Sequence, residues 1–527
     1  MENGKNKEAK EEKIQEKIGA SFNKIGKRKE KVKKWLKDPY NLGLLAILIF
    51  AFVVRLYYFD LTKDQPLWWD EAAYGSMAKN YVSHIWDGTE VIKGENLIRP
   101  PFLPLLWSIL IRAGFDETIN RFILLFIPSV LTIFFVYLIG KELYDKRTGL
   151  FSAFIFSVLW MHLFYSSRLL THILSLAFLF ASIFFFIKAN QLEKFNYTHL
   201  SIAMVLAGIV ALIRYPDGLV YGVYAIFLLL VRRFELIKDR KAWIAAILGL
   251  VPMWIFFLIN YIKSGNIFPA LLGSNYVRAV SKSFAFDLLK YIQTYLTTTF
   301  FLLFIIGLGF TIFELVIGYG IISKNKKLQG YLFMILFFVV FYSFFIFVIR
   351  GSDEGRWLFP LSIAFVSFAG AGISSLYTFV RKYERIFAVV LVITLLTLGA
   401  YSQIKFANTT ISNSRNSFLQ AKQGYEWLRE NTEKDAVIMS SGLEVLAMYY
   451  AERENIGFPQ NVSDMDEVTV DYLAIHAYKP EAHPSYLNDY LQNNQDKWKP
   501  VQVFFADQEG KQPVFVIYRG INNANVM

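Results

Sequence analysis

The chain has 527 residues, of which 55% are hydrophobic and 17% aromatic, and its mean hydropathy is +0.36. Soluble domains are about 45–50% apolar, so this composition excludes an ordinary soluble protein and favours a membrane protein. The formal charge of +12 is uneven: residues 1–37 hold 13 Lys or Arg against 6 Asp or Glu, whereas residues 421–527 hold 9 against 16.

Residues 1–37 are predicted to form a basic cytoplasmic tail, because a basic segment beside a first membrane span is retained on that side and meets anionic lipid. Nucleic-acid binding is not expected, since the tail mixes Glu with Lys and lacks interleaved aromatic residues. The first apolar run begins only at Asn41 and is long enough to span a membrane. We therefore expect an uncleaved anchor rather than a signal peptide.

A criterion of about 20 apolar residues predicts eleven membrane spans. A further apolar stretch, 101–113, is short and begins with Pro100-Pro101, so it is predicted to be interfacial or re-entrant. The eleven spans lie near residues 41–59, 119–139, 148–165, 168–188, 197–213, 217–231, 242–262, 295–322, 329–349, 357–378 and 384–401.

The charges of the loops test this count. With the N-terminus inside, five inner loops carry 16 Lys or Arg in 41 residues, and four outer segments carry 8 in 46. This asymmetry agrees with the positive-inside rule. The inner loops are 140–147, 188–199, 232–241, 323–328 and 381–385, and the outer segments are 166–168, 214–217, 263–294 and 350–356.

The chain changes character after about Tyr401, where short alternating strands and amphipathic helices replace the apolar runs. The predicted fold is thus an all-α polytopic membrane bundle over 38–401, with a long first outer loop at 60–118, followed by a small extracytoplasmic α/β domain over 402–527. Its predicted strands lie at 436–439, 472–475, 501–505 and 514–518, and its helices at 417–431, 443–452 and 485–493.

Several charged residues lie outside the predicted inner loops. The eleven-span topology places all of them at the outer boundary of the bundle. Carboxylates and guanidinium groups gathered at one membrane face favour an outward-facing site for an anionic substrate. The candidate residues are Asp70, Glu71, Arg99, Arg168, Arg214, Asp217, Arg278, Asp353, Glu354 and Arg356.

Asp70 and Glu71 follow Trp68 and Trp69 directly. A carboxylate in such a partly dry loop can take a proton from an acceptor hydroxyl, while its neighbour holds a second polar contact. The alternative is an interfacial helix start, where aromatic residues lie at headgroup level and acidic residues suit the first turn.

The arginines also allow two interpretations. Arg168, Arg214 and Arg356 each begin or end an apolar span, where a snorkelling side chain is the ordinary explanation. Three of them on the outside, where the positive-inside rule disfavours them, favour bidentate binding of phosphate. Arg99 precedes Pro100-Pro101, which alternatively marks a helix start.

Several chemistries find no support in the sequence. The chain has no Cys, which excludes disulfides, thiolate metal sites and a cysteine nucleophile. It contains no phosphate-binding glycine loop of the Walker type, so nucleotide hydrolysis is not expected. The six His residues lack a metalloprotease spacing.

The order of the motifs resembles that of integral-membrane glycosyltransferases of the C superfamily, specifically the group of protein O-mannosyltransferases and aminoarabinose transferases. The resemblance covers roughly residues 41–401. The matching motifs are Asp70-Glu71-Ala72, Arg99-Pro100-Pro101-Phe102-Leu103, Gly114-Phe115, Arg121, and the segments 141–150, 165–168, 214–218 and 355–360.

This resemblance implies transfer of a sugar from a polyprenyl-phosphate carrier to a protein, glycan or lipid acceptor outside the cytoplasm, with inversion at the anomeric carbon. It implies that Asp70 is the base and that Glu71 matches a second acidic position. Arg99, Arg168 and Arg356 would hold the leaving phosphate. No cofactor is assigned. A divalent metal is optional, and Asp70, Glu71, Asp353 and Glu354 could supply its ligands; it is not favoured, by analogy with members that use monophosphate donors.

Two other classes of membrane protein are alternatives to a glycosyltransferase. A transporter or lipid flippase would carry polar residues at mid-depth in several spans, whereas these spans are mostly Phe, Leu and Ile with charges at their ends. A membrane scaffold that presents the C-terminal domain would not depend on Asp70.

Overall fold

A computed structural model describes residues 30, 33, 35–83, 99–190, 195–232, 238–265, 284–349, 355–507 and 509–521. Within these ranges nine helices are long and apolar enough to cross a membrane. They cover Pro39–Thr62, Glu117–Leu143, Thr171–Ala189, Tyr215–Arg232, Arg240–Ile259, Lys290–Ile317, Lys326–Phe347, Ser362–Val380 and a final stretch Arg385–Asn431.

The prediction of a mostly helical bundle with a small C-terminal sheet is confirmed. Nine of the eleven predicted spans coincide with these long helices. The other two, 148–165 and 197–213, are a broken helix and the shorter apolar helix Tyr197–Ile213. The total of eleven spans therefore stays a prediction.

The predicted span 148–165 is divided at Leu159 into the helices Lys146–Val158 and Trp160–Tyr165. Backbone groups freed at such a break need partners where no water is present. Arg55 Nη1 donates to the Ser157 carbonyl at 2.8 Å, and the Trp160 backbone N–H donates to Gln403 Oε1 at 2.8 Å. The fully buried Arg55 side chain thus supplies a hydrogen-bond donor to the backbone at the end of the helix Lys146–Val158.

Three shorter helices follow the first long helix, within and just beyond the predicted outer loop 60–118. The helix Trp69–Tyr81, called here the first-loop helix, packs against Phe102–Arg112. At about 16 Å, the 11-residue helix Phe102–Arg112 is shorter than the apolar core of a bilayer. Glu117–Arg121 then continues through the π-helical turn Phe122–Phe126 into Ile127–Leu143.

Close approach of backbones holds the long helices together. Phe284–Ile317 lies so close to Ser362–Val380 that a Cβ on Gly307 would be 1.7 Å from the Phe368 carbonyl oxygen. Contacts of this kind between small residues are typical of membrane helix pairs.

The last long helix, Arg385–Ser414, extends beyond 401 and leads into the helices Leu419–Asn431, Glu444–Tyr450 and Leu487–Asn493. The five strands that follow Leu419–Asn431 form one mixed sheet of order β2-β1-β3-β5-β4. They are β1 Val437–Met439, β2 Glu454–Ile456, β3 Tyr472–His476, β4 Trp498–Phe505 and β5 Pro513–Gly520.

Strand β1 lies parallel to both β2 and β3, and β5 is antiparallel to β3 and β4. Four of the strands were predicted. The edge strand β2 was missed because Glu454, Asn455 and Ile456 are too few and too polar to show an alternating pattern. We call residues 415–521 the C-terminal α/β region.

Candidate active site

The first-loop helix positions two neighbouring carboxylates on different sides, because successive residues of a helix are about 100° apart. Glu71 points inward. Its Oε2 accepts from the Trp68 backbone N–H at 2.7 Å, as in a capping box, and its Oε1 accepts from the Leu169 N–H at 2.6 Å. Glu71 thereby fixes the start of the helix that carries Asp70.

Arg168 is the charged partner of Glu71. Its Nη1 lies 3.1 Å from Glu71 Oε2, and the two side chains are 1% and 0% exposed. The guanidinium also lies 3.6 Å above the Trp68 ring and donates to the Ser414 carbonyl at 3.2 Å. Arg168 therefore ties the first loop to the end of the last long helix.

Arg121 makes a second buried connection beside this pair. It donates to the Ser167 carbonyl at 2.7 Å and to the Gln65 carbonyl at 2.9 Å, and it pairs with Glu117 at 2.6 Å. In the sequence Arg121 stood out only as a motif residue at the start of a span. Its structural role follows from contacts that the sequence does not reveal.

Asp70 lies on the more open face of the helix, between two arginines. Arg99 Nη1 donates to Oδ1 at 2.9 Å, and Arg356 Nη1 donates to Oδ2 at 2.7 Å. The exposed fractions of the three side chains, 28% for Asp70, 20% for Arg99 and 22% for Arg356, leave the group accessible.

Burial and charge act in opposite directions on this carboxyl group. Burial raises the pKa of Asp70, but the positive charges of Arg356 and Arg99 and their hydrogen bonds outweigh it, so the pKa lies below the usual 3.8. Asp70 is therefore ionised at neutral pH in the unliganded protein.

Arg214 and Asp217 lie next to the Arg356 segment. Arg214 Nη1 donates to Asp217 Oδ1 at 3.0 Å, and Ser175 Oγ donates to Asp217 Oδ2 at 2.6 Å. The Arg214 guanidinium lies 4.8 Å from the ring of Trp357, the residue after Arg356. Arg214 therefore lies on the same side of the site as Arg356.

His172 is a further residue of this end of the bundle that the sequence did not single out as functional. It is 5% exposed and packs against Tyr165 and Phe359, with both ring centroids at 5.3 Å. The buried Nδ1 atom has no hydrogen-bond partner among the described residues.

The C-terminal α/β region covers the first-loop helix. Tyr450 Oη accepts from the Leu67 N–H at 2.7 Å, and Lys79 Nζ donates to the Tyr449 carbonyl at 2.8 Å. A Cβ on Gly75 would lie 2.4 Å from the Tyr449 ring, so the contact has no spare room. Lys479 lies 3.8 Å above the ring of Trp69, immediately before Asp70.

Two predicted site residues, Arg278 and Glu354, lie outside the described residues, as does Asp353. The other seven lie at the same end of the bundle, in the three ion-pair groups given above. Among the described residues, no three His, Asp or Glu side chains converge as metal ligands.

Comparison with known proteins matches residues 99–258 to the family of dolichyl-phosphate-mannose-protein mannosyltransferases. No curated protein sequence matches the chain. In structure, the chain is similar to ArnT from Cupriavidus metallidurans bound to undecaprenyl phosphate, with a TM-score of 0.63 and 11% identity over 90% of this chain and 97% of that one.

It is also similar to the archaeal oligosaccharyltransferase AglB from Archaeoglobus fulgidus in complex with an inhibitory peptide and a dolichol-phosphate. There the TM-score is 0.58 at 14% identity, over 90% of this chain and 74% of that one. The arabinofuranosyltransferase AftD from Mycobacteria matches with a TM-score of 0.53 and 12% identity, over 90% of this chain and 40% of the other. The chain therefore has the fold of integral-membrane glycosyltransferases of the C superfamily, which confirms the resemblance seen in its sequence.

Proposed function

We propose that the protein is a glycosyltransferase that moves a sugar from a polyprenyl-phosphate donor to a protein, glycan or lipid acceptor on the outer side of the membrane. The observation that carries this proposal is the position of Asp70, a carboxylate shared by Arg99 and Arg356 in an accessible site. Such a group supplies the base and the phosphate-binding cations that the reaction needs.

The donor phosphate binds Arg356, Arg99 and Arg214, since guanidinium groups hold phosphate oxygens through paired N–H donors. When it binds, its negative charge offsets the two arginines that lower the pKa of Asp70. Asp70 thereby becomes a stronger base only when the donor is present. This coupling limits its reactivity in the empty site.

In the transfer step, the acceptor hydroxyl gives its proton to Asp70 while the acceptor oxygen bonds to the anomeric carbon. The bond between that carbon and the phosphate oxygen breaks, and polyprenyl phosphate leaves with the electron pair. A single displacement of this kind inverts the configuration of the anomeric carbon. The arginines stabilise the charge that grows on the departing phosphate.

Glu71 and Arg168 act as positioning residues in this scheme. Both side chains are almost wholly buried, and each is occupied by contacts within the protein. Asp217 likewise orients Arg214. We assign no step to a metal ion, because the proposed chemistry has a base and cationic groups of its own.

The activity is tested with purified full-length protein in nanodiscs that contain synthetic polyprenyl-phosphate sugars. Release of polyprenyl phosphate together with a glycosylated acceptor supports the proposal. Movement of intact donor between leaflets without cleavage would instead identify a flippase. In cells, mass spectrometry of lipid-linked sugars in a deletion strain would identify the donor by its accumulation.

The orientation is tested separately. We propose that the N-terminus is cytoplasmic and that the C-terminal α/β region lies outside, on the basis of the loop charges. Ser485 is exposed, and the chain has no native thiol. In intact cells an impermeant thiol reagent should label Ser485→Cys but not Lys382→Cys, whose position lies in a predicted inner turn. The opposite labelling pattern would reverse the orientation.

A further inference from the structure

A polar cleft lies at the end of the bundle opposite to Asp70. The helical stretch Glu117–Leu143 runs between the two ends, with Arg121 hydrogen-bonded to the Ser167 carbonyl beside Arg168 at one end and Glu142 at the other. With a rise of 1.5 Å per residue, these two positions are about 30 Å apart. The cleft is therefore separate from the candidate active site by the thickness of a membrane core.

Glu142 and Lys326 line this cleft, and Lys188 and Arg232 lie beside it. Glu142 Oε1 pairs with Lys188 Nζ at 2.6 Å, and Oε2 pairs with Lys326 Nζ at 3.1 Å. Arg232 Nε donates to Asn190 Oδ1 at 3.4 Å on the same side. These four side chains together carry a net charge of +2, and both lysines are about one-third exposed.

The cleft is also amphipathic. Its inner part is narrow and is lined by the buried rings of Phe186, Phe227 and Phe333. Asn190 Nδ2 donates to Gln329 Oε1 at 2.9 Å across the polar rim. The cations at the rim suit a phosphate, and the apolar span ends beside the cleft suit acyl chains, so a phospholipid gains contacts that a soluble anion does not.

The cations lie at the ends of apolar spans, which is the depth of lipid headgroups. Lys188 is next to the last residue of Thr171–Ala189, Arg232 ends Tyr215–Arg232, and Lys326 begins Lys326–Phe347. Leu229 and Leu230, one turn before Arg232, are 43% and 57% exposed. These leucines provide an apolar surface for an acyl chain outside the cleft.

We propose that the basic rim of this cleft binds the headgroup phosphate of an anionic phospholipid, with Lys188, Lys326 and Arg232 as the phosphate-binding side chains. Positive pockets between the ends of membrane helices attract such lipids. Glu142 holds the two lysines at the rim while the site is empty and competes with the phosphate for them. The site is independent of sugar transfer at Asp70.

The test uses native mass spectrometry of the delipidated full-length protein with phosphatidylglycerol or phosphatidylcholine of the same acyl chains. Loss of two cationic contacts in Lys188→Gln/Lys326→Gln should weaken phosphatidylglycerol binding roughly thirtyfold. The matched control Arg381→Gln/Lys382→Gln removes two charges from an exposed turn at the same end and should leave binding unchanged. Lys188→Arg/Lys326→Arg keeps the charge and should bind as the native protein does.

Glu142→Gln gives a change in the opposite direction. It removes the competing carboxylate, so phosphatidylglycerol should bind several-fold more tightly than to the native protein, an effect that loss of structure would not produce. Equal binding of phosphatidylcholine, equal loss in the control, or weaker binding in Glu142→Gln would each overturn the proposal. Displacement of the lipid by an equal concentration of glycerol phosphate would show a site for soluble phosphate instead.

Discussion

The two faces of the first-loop helix place adjacent carboxylates in different surroundings. Glu71 is 0% exposed and is surrounded by one guanidinium and two backbone N–H groups. Asp70 is 28% exposed, and its ion-pair partners among the described residues, Arg99 and Arg356, come from other segments of the chain. The difference shows that an acidic pair in the sequence contains one structural and one reactive candidate, and that burial distinguishes them.

The largest effect is expected for Asp70→Asn. The amide keeps the size of the side chain but cannot take the proton of the acceptor, so turnover should fall by roughly 10²–10⁴-fold. Turnover is measured in nanodiscs with a synthetic polyprenyl-phosphate sugar, and donor binding is followed in parallel. Asp60→Asn is the matched control, because Asp60 is 75% exposed at the end of the first helix and pairs only with Lys63 among the described residues.

Donor binding should survive in Asp70→Asn, since the phosphate is held by cations. Normal turnover in this variant would remove Asp70 from the chemistry, and Asp353 and Glu354 would then be examined as the base.

Glu71→Gln tests the buried face. It leaves the Arg168 charge without its partner in the interior, which costs on the order of 3 kcal/mol of stability. The variant should unfold at a lower temperature, while the turnover of its folded fraction should fall less than in Asp70→Asn. The double variant Glu71→Gln/Arg168→Gln should recover part of the stability because no unpaired charge remains. A stable but inactive Glu71→Gln would exchange the roles of the two carboxylates.

The sequence predicted the end of the bundle at which these residues lie, because span boundaries and loop charges place them at one depth. It could not predict their partners. The Asp70–Arg356 pair joins positions 286 residues apart, and the Glu71–Arg168 pair joins positions 97 apart. Which arginine pairs with which carboxylate depends on helix rotation and packing, which apolar runs of Phe, Leu and Ile do not encode at single-residue precision.

The sequence also did not predict the break at Leu159 or the contact of Tyr449 with Gly75. Residues 148–165 form a continuous apolar run, and the partners that satisfy the broken backbone, Arg55 and Gln403, lie in other helices. Tyr449 belongs to a helix that looks like an ordinary amphipathic segment of a soluble domain. Its role in covering the first loop depends on how the C-terminal α/β region packs against the first-loop helix.

Arg356 lies on the open face, where we propose that it binds the donor phosphate. Arg356→Ala should weaken donor use tenfold to a hundredfold, because a charge-assisted contact contributes roughly 1.5–3 kcal/mol. Arg356→Lys should lose less, since lysine keeps the charge but not the paired N–H donors. The measurement is the dependence of the initial rate on donor concentration. An unchanged dependence in both variants would exclude Arg356 from phosphate binding.

The smallest effect concerns pH. Asp70 acts as a base only when ionised, so activity should be lost as the pH falls through its pKa, which in the empty site lies below 3.8. Removing the Arg356 charge raises the pKa of Asp70, because burial then acts against one arginine instead of two. The acid limb of the kcat/KM profile should therefore move to higher pH in Arg356→Ala.

The same profile separates the empty site from the occupied one. The acid limb of kcat reports the complex with donor, and that of kcat/KM reports the free protein. If the donor phosphate offsets the arginines, the kcat limb lies at the higher pH in the native protein. Coincident limbs would show that Asp70 keeps its arginine partners when the donor binds, and the proposed coupling between donor binding and basicity would then be wrong.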